Sequence, residues 1–535
     1  MPCQSTGSNC DTMGLHRLKS FRVGVSLLFF VLIAFLFVDF RNIIAPSVTG
    51  GLLYLQFVPS LLKFVNAAAI GAAGFIVIMI LCVLFGRVYC STVCPLGTLQ
   101  DVIIFMTRKK QKRRKFQFRN PNNVLRYSIL ALTALFLIAG SGLLLNLLDP
   151  FSTFGRIISN LLRPVFILVN NVAAIALEQL GVHTLSRERW AIITPLSAGV
   201  SLAMLIIVAW LAATRGRLYC NTVCPVGALL GLVSKISFLQ IRIDPGVCKG
   251  CRLCEGVCKA GCIDLRKKTV DISRCIACYN CLAVCQKEGL RFENRWRRRV
   301  LAAQPDRERR GFILNSGIYL LGLAGLTEET KKIIQSKPTT IPVHVTSPVS
   351  LPGSGSIAHF TGTCTACHLC VSACPSRVIV PTFLEFGLLG MMQPRLNFHA
   401  GHCNYDCTIC MNICPTGAIL PLSVEKKKLT QLGVAKFIKE NCVVYTDNTD
   451  CGACSEHCPT KAVDMVPYPN PVNKRLKIPE VKPDYCIGCG GCEHACPTKP
   501  YKAIYVDGNP VHKLAKKPVV KKVEVNVDTN EDFPF

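Results

Sequence analysis

"GRVYCSTVCPLGTL", residues 86–99, returns as "GRLYCNTVCPVGAL", residues 216–229, with ten of fourteen positions identical. Each copy follows an apolar stretch and each carries a C-x3-C-P motif. The residue before a proline avoids the α region, and proline suits the first helical position. Cys94 and Cys224 are therefore expected at helix N-termini, where the helix dipole favours a thiolate. Cys90, Cys94, Cys220 and Cys224 are candidates for a shared metal or cluster, or for two redox pairs. The plainer reading is that they pack the membrane exit.

Around these copies the chain is strongly apolar. Four segments, 21–40, 67–86, 126–148 and 191–213, are long and apolar enough to be expected as spans. Basic residues before the first, and no small-residue cleavage site after it, make it an uncleaved span rather than a signal peptide. A fifth stretch, 165–182, contains Asn170, Asn171 and Glu178, which are costly in lipid. Parity of the basic loops makes it an interfacial or re-entrant helix. The expected membrane part, 21–235, is thus α-helical, built from duplicated two-span hairpins after a cytoplasmic N-terminus at 1–20. Such a duplication places a site at its pseudo-symmetric interface.

The formal charge of +29 invites a nucleic-acid reading, but its distribution argues against one. "RKKQKRRK" (108–115) and "RWRRR" (295–299) lie beside apolar segments, as in cytoplasmic loops, and no aromatic platform accompanies them. The chain of 535 residues has 32 cysteines, nearly all in short regular runs that suit metal thiolates, not a disulfide scaffold.

Residues 248–285 hold two C-x2-C-x2-C-x3-C runs, the bacterial ferredoxin pattern, in which the fourth cysteine of each run ligates the other cluster. One cluster is expected on Cys248, Cys251, Cys254 and Cys285, the second on Cys275, Cys278, Cys281 and Cys258. Zinc would want paired hooks rather than four cysteines in eleven residues. Cys262 reads as structural. Four further runs follow. They supply Cys364, Cys367, Cys370 and Cys374; Cys403, Cys407, Cys410 and Cys414; Cys442, Cys451, Cys454 and Cys458; and Cys486, Cys489, Cys492 and Cys496. These sixteen suit four clusters, six 4Fe–4S clusters in all, but spacing leaves the tail pairing open. His368, His457 and His494 lie inside the runs and read as solvated or as tuning the potential rather than as ligands.

Between the two groups lies "RERRGFILNSGIYLLGLAGL" (307–326). Arg309 and Arg310 followed by Gly-Phe-Ile fit a twin-arginine export signal, a receptor-read address. Its apolar run is short for a span and no A-x-A site follows, so it is expected to stay as an anchor. The alternative is a packed helix with everything on the cytoplasmic side. The expected order is then a two-cluster ferredoxin domain at 240–295, the signal and anchor at 305–330, a linker at 331–358 and a four-cluster domain at 359–535, both ferredoxin parts α+β.

Residues 15–290 resemble the polytopic iron–sulfur proteins related to NapH and to the C-terminal part of NosR, through the paired "GRxYCxxxCPxG" motifs and the double run after them. Residues 307–505 resemble NapG, the exported four-cluster ferredoxin, through the twin-arginine stretch, the four runs and "GLLGMMQPRLNF" at 387–398. The chain looks like the two fused. The resemblance implies a bacterial inner-membrane protein that takes electrons from menaquinol and delivers them to a periplasmic cytochrome or reductase, with lipid and no nucleic acid among its partners. The flavin-bearing domain of NosR is absent, so no flavin is expected. A quinol site needs a proton acceptor; Asp149, Glu178, His183 and Glu188 lie in the expected outer loop and read as ordinary loop or helix-end residues. Two other classes compete. One is an accessory reductase in maturation of a periplasmic metalloenzyme, as in CcoG-type relatives that lack the tail. The other is an all-cytoplasmic polyferredoxin. No Walker loop, dinucleotide fingerprint or hydrolase triad points to a substrate pocket, so the chain reads as an electron-transfer component of a quinol-dependent system.

Overall fold

The computed structural model describes residues 8–39, 43–67, 73–110, 116–188, 194–285, 289–294, 341–469 and 476–517. The twin-arginine segment, with Arg309 and Arg310, lies outside the described residues. The membrane part runs through helices α1 (Ser8–Val38), α2 (Pro46–Tyr54), α3 (Phe57–Ala67), α4 (Gly74–Phe85), α5 (Tyr89–Thr92), α6 (Pro95–Lys110), α7 (Asn123–Ile138), α8 (Leu143–Leu148), α9 (Pro150–Ile157), α10 (Arg163–Gln179), α11 (Pro195–Arg215) and α12 (Pro225–Ser234).

Among the described residues three helices are long and apolar enough to cross a membrane: Arg17–Val38, Pro150–Gln179 and Pro195–Arg215. Helices α2 and α3 together pass the same test but are bent by 101°, a broken span or a re-entrant loop. This corrects the expected spans. The first and fourth stand, but the second and third shrink to helices of 12 and 16 residues. Gly86 (φ 77°) and Gly140 (φ 78°) take left-handed backbone at or just past the ends of α4 and α7, the conformation that stops a helix.

The stretch expected to be interfacial or re-entrant, 165–182, falls largely in α10, which continues from α9 through a π-helical turn, Ile158–Leu162. That 30-residue run is long enough to cross. Its polar residues are satisfied by the loop after it. The Asn171 side chain donates to the Glu188 carbonyl and accepts from the Glu188 amide, both at 2.8 Å, and Glu178 pairs with Arg187.

Beyond the helices, the sheets among the described residues are all two-stranded and antiparallel. Strands β1 (Leu239–Ile243) and β4 (Leu290–Asn294) close the segment that holds the 248–285 runs, with β2 (Ile263–Asp264) and β3 (Thr269–Val270) paired inside it. Residues 1–336, 350–397 and 408–422 form one compact unit; 337–349, 398–407 and 423–535 form another. In the second unit strand Thr430–Phe437 pairs with Ile504–Leu514, and Val463–Pro467 with Lys477–Val481.

In the first unit, the stretch 350–397 packs on the membrane helices. Ser159 Oγ lies 3.1 Å from Ser372 Oγ, Arg163 donates to the Ser372 carbonyl at 2.8 Å, and Asn146 donates to the Met391 carbonyl at 2.7 Å. A Cβ on Gly155 would meet the Cys367 carbonyl at 2.5 Å and the Phe37 ring at 2.6 Å. Glycine is the residue that lets this run approach α9 so closely.

Candidate iron–sulfur and membrane-exit sites

Pro95 and Pro225 open α6 and α12, as the Cys-Pro reading requires. Cys224 is the N-cap of α12, and its sulfur accepts from the Gly227 amide at 3.3 Å. Cys90, Cys94, Cys220 and Cys224 are all buried and share one apolar core. Two fully buried arginines cross between the repeats. Arg87 donates to the Cys220 carbonyl at 3.0 Å, and Arg217 donates to the Cys90 carbonyl at 2.8 Å. Arg87 Nη2 also stands 3.8 Å from Cys90 Sγ, and Gln100 Nε2 3.3 Å from Cys220 Sγ.

The glycines of the two motifs fit the same geometry. A Cβ on Gly97 would meet the Cys90 carbonyl at 2.5 Å, and one on Gly227 would meet the Cys220 carbonyl at 2.1 Å. Arg217 is itself held by Asp101 at 2.9 Å, which Lys259 at 3.1 Å and Arg22 at 3.6 Å also reach. Burial pushes the Asp101 carboxyl up, but Arg217, Lys259 and Arg22 outweigh it and hold the group below the usual carboxylate range. A buried thiolate group needs compensating cation charge. Burial pushes the Cys94, Cys220 and Cys224 thiols up, and the two guanidiniums oppose it only in part at Cys94 and Cys220. Four buried cysteines beside two arginines are nonetheless a donor set whose charge a bound metal or cluster would complete. Arg87, Arg217, Asp101 and Gln100 were not picked out as site residues from sequence. The repeated arginine of "GRxYC" was the signal available.

Cys258, Cys275, Cys278 and Cys281 line one small cavity, together with Cys262. Cys262 lies 3.5 Å from Cys258, sulfur to sulfur, and its hydrogen bond, against the effect of burial, draws the Cys258 thiol down to about 7. Cys254 interacts electrostatically with Cys248, Cys251 and Cys285, and burial pushes its thiol up to about 11. The domain is anchored on the membrane part near the crossed arginines: Arg126 donates to the Ser273 carbonyl at 2.8 Å and Ser234 to that of Ile272 at 3.1 Å.

In the tail, cysteines of neighbouring runs come close to one another. Cys442, Cys451 and Cys454 line a cavity with Cys496, the fourth cysteine of the next run. Cys492 has Cys489, Cys486 and Cys458 as its leading electrostatic neighbours, with Cys454 after them, and Cys370 has Cys367, Cys364 and Cys414, with Cys410 after them. Each set takes three cysteines from one run and the fourth from its neighbour, the two-cluster ferredoxin rule. Of the remaining four, Cys374 and Cys410 lie in the first compact unit, Cys403 and Cys407 in the second. Among the described residues no three ligands converge tightly enough for a single metal ion; the cubane of a 4Fe–4S cluster holds its thiolates further apart than the tetrahedron of a lone zinc.

Of the two expected roles, solvated or tuning the potential, the structure excludes solvation for His368. It is buried, its Nε2 lies 2.8 Å from the Met392 carbonyl, and burial pushes its pKa down to about 4. His457 is exposed, and His494 Nδ1 lies 3.1 Å from the Phe398 carbonyl.

Membrane helices, buried cysteine quartets and ferredoxin-type cavities define an iron–sulfur protein of the membrane. The comparisons agree. The family described as a 4Fe-4S binding domain matches residues 67–114 and 197–243, around the two C-x3-C-P motifs. The family described as a 4Fe-4S dicluster domain matches 363–418 and 449–499. The ferredoxin-type protein NapH of Haemophilus influenzae is 24% identical over 261 residues, 47% of this chain and 75% of that protein. NapH of Escherichia coli is 24% identical over 242 residues, 43% of this chain and 70% of that protein. An uncharacterized protein of Methanocaldococcus jannaschii is 26% identical over 255 residues, 46% of this chain and 81% of that one. No solved structure matches. The chain is homologous to the NapH ferredoxin-type proteins and carries 4Fe–4S domains; it is a NapH-like iron–sulfur electron-transfer protein.

Proposed function

We propose that this chain fuses a NapH-like membrane part to a NapG-like exported ferredoxin, and that it carries electrons across the bacterial inner membrane. The donor is menaquinol or another reduced carrier, and the acceptor is a periplasmic cytochrome or reductase. Six 4Fe–4S clusters on the 24 ferredoxin-type cysteines, with a further metal or cluster on Cys90, Cys94, Cys220 and Cys224, would supply one-electron relay when bound. The chain's own residues place, compensate and insulate those sites.

One observation carries the reading. Helix α1 touches both ends of the path. Arg22 donates to the Ser91 carbonyl at 3.0 Å, beside the first C-x3-C-P motif. Phe37, fifteen residues on, packs against Gly155 where the Cys367 backbone comes down on α9. At 1.5 Å per residue the two contacts stand roughly 22 Å apart along the helix, much of the way across a hydrocarbon core of about 30 Å. Cysteine sites at opposite ends of one membrane helix suit transfer across the bilayer.

The test is a reporter active only in the periplasm, fused after Phe535, with Arg309 and Arg310 intact or both changed to Lys. Signal from the intact protein that vanishes in the Lys variant is expected. No signal from the intact protein would sink export and leave an all-cytoplasmic polyferredoxin.

A further inference from the structure

A groove of about 2020 Å³ lies between α1, α6, residues 116–121 and the 250–284 runs. Small-molecule sites are typically about 300–1,000 Å³, so this groove is larger than a quinol or nucleotide head group needs. Cys251 is on its wall, and it is exposed, alone in that respect among the described cysteines. Around it, Arg252, Arg266 and Lys267 also line the groove and are exposed. Of the three acids on the same wall, Asp101 is held by Arg217, Lys259 and Arg22. Glu255 accepts from the Phe118 amide, and Asp264 from the Arg266 and Lys267 amides. The outward-facing charge is therefore positive.

We propose that this groove is the electron port for a small soluble carrier with an acidic face, which docks over Cys251 and reduces the cluster held by Cys248, Cys251, Cys254 and Cys285. This rests on the electron-transfer reading above and names its donor. One electron leaves the carrier's redox centre and reduces that cluster by one; no bond forms or breaks and no proton need move. Charge complementarity selects the partner: basic surface around an accessible redox site raises the encounter rate of an acidic protein and does so less as salt rises. Anionic lipid is the rival, since Lys19 of α1 and Arg108 of α6 line the same groove. Arg252, Arg266 and Lys267, which surround Cys251, sit instead on the ferredoxin-type loops, so the carrier is the occupant they favour.

The experiment uses the full cluster-loaded chain in detergent, with an acidic bacterial ferredoxin, photoreduced, as the probe. Rapid mixing follows bleaching of the chain's iron–sulfur absorbance in the intact protein and in R252E/R266E/K267E. We expect the ferredoxin-driven rate to fall at least tenfold in the triple variant and to fall steeply with salt in the intact protein. Reduction by photoreduced 5-deazaflavin, which needs no docking, should not change. A ferredoxin rate that ignores salt in the intact protein overturns the proposal without any variant. So does a rate unchanged in the triple variant, including the case where that variant instead loses binding to phosphatidylglycerol vesicles. Failure of the wider reading shows separately, as a missing periplasmic reporter signal while the ferredoxin rate is intact.

Discussion

Arg87 and Arg217 each bind the other motif's chain: Arg87 donates to the Cys220 carbonyl and Arg217 to the Cys90 carbonyl, at 3.0 and 2.8 Å. The two C-x3-C-P turns are thus held as one piece by charges that have no exposed surface. Removing one partner of a buried ion pair typically costs about 3–5 kcal/mol, because the other charge is left uncompensated. Arg217→Met should therefore destabilise the membrane part by that order, with Asp101 losing its nearest cation. Arg217→Lys keeps charge but loses the planar fork, and should fall between. Denaturant unfolding of the purified chain in mild detergent checks this; equal stability of all three proteins would refute the interlock.

The glycines test the same geometry by shape alone. Gly97→Ala and Gly227→Ala each drive a methyl into a backbone carbonyl at 2.5 and 2.1 Å. A backbone atom cannot swing aside as a side-chain tip can, so each should cost about 1–3 kcal/mol as overpacking does. Gly199 lies in α11 with nothing within 4 Å of its would-be Cβ. Gly199→Ala should be neutral, or stabilising by up to about 1 kcal/mol, since alanine is the better helix former. Thermal unfolding of the three variants under one set of conditions gives the comparison.

The local chemistry of the cysteines was legible in sequence because it is written at short range. Cys-Pro dictates a helix start, and C-x2-C-x2-C-x3-C brings Cys258 to Cys275, Cys278 and Cys281 whatever lies beyond. The path of the chain was less legible. Asn170, Asn171 and Glu178 argued against a crossing only while their partners were unseen; residues 186–188, eight or more positions later, partner all three. The arginine crossing was hidden for the same reason, since Arg87 and Cys220 are 133 positions apart. That His368 is buried rather than solvated was not legible, because nothing in its run reveals that Asn160 and Met392 enclose it.

Asp507 gives a pH test outside the membrane. It accepts from the Thr346 and Ser347 amides at 2.9 and 3.0 Å and pairs with Lys436. Burial pushes its carboxyl up, but Lys436 and Thr346 prevail and hold it below the ordinary value of 3.8. A group whose folded pKa is depressed stabilises fully above its unfolded value, and that stability is lost as pH falls through the folded value. The Thr346 and Ser347 amides should be better protected from hydrogen exchange in the intact protein than in Asp507→Asn at pH 7. The gap should close as pH drops below 3.8. A gap that persists in acid would mean the carboxylate charge is not what holds this segment.

Cluster pairing in the tail can be read by counting iron. Cys454 and Cys496 share a cavity, whereas Cys492, a neighbour of Cys496 in sequence, interacts first with Cys489, Cys486 and Cys458 and only after them with Cys454. If each set holds one 4Fe–4S cluster, Cys454→Ser and Cys496→Ser strike the same site, and the double variant should lose about four iron atoms, no more than either single change. Cys492→Ser with Cys496→Ser strikes two sites and should lose about eight. Pairing within runs predicts the reverse: eight for the first double variant and four for the second. Iron and acid-labile sulfide analysis of the purified chain, normalised to protein, separates the two, because the expected losses differ by a whole cluster in opposite directions.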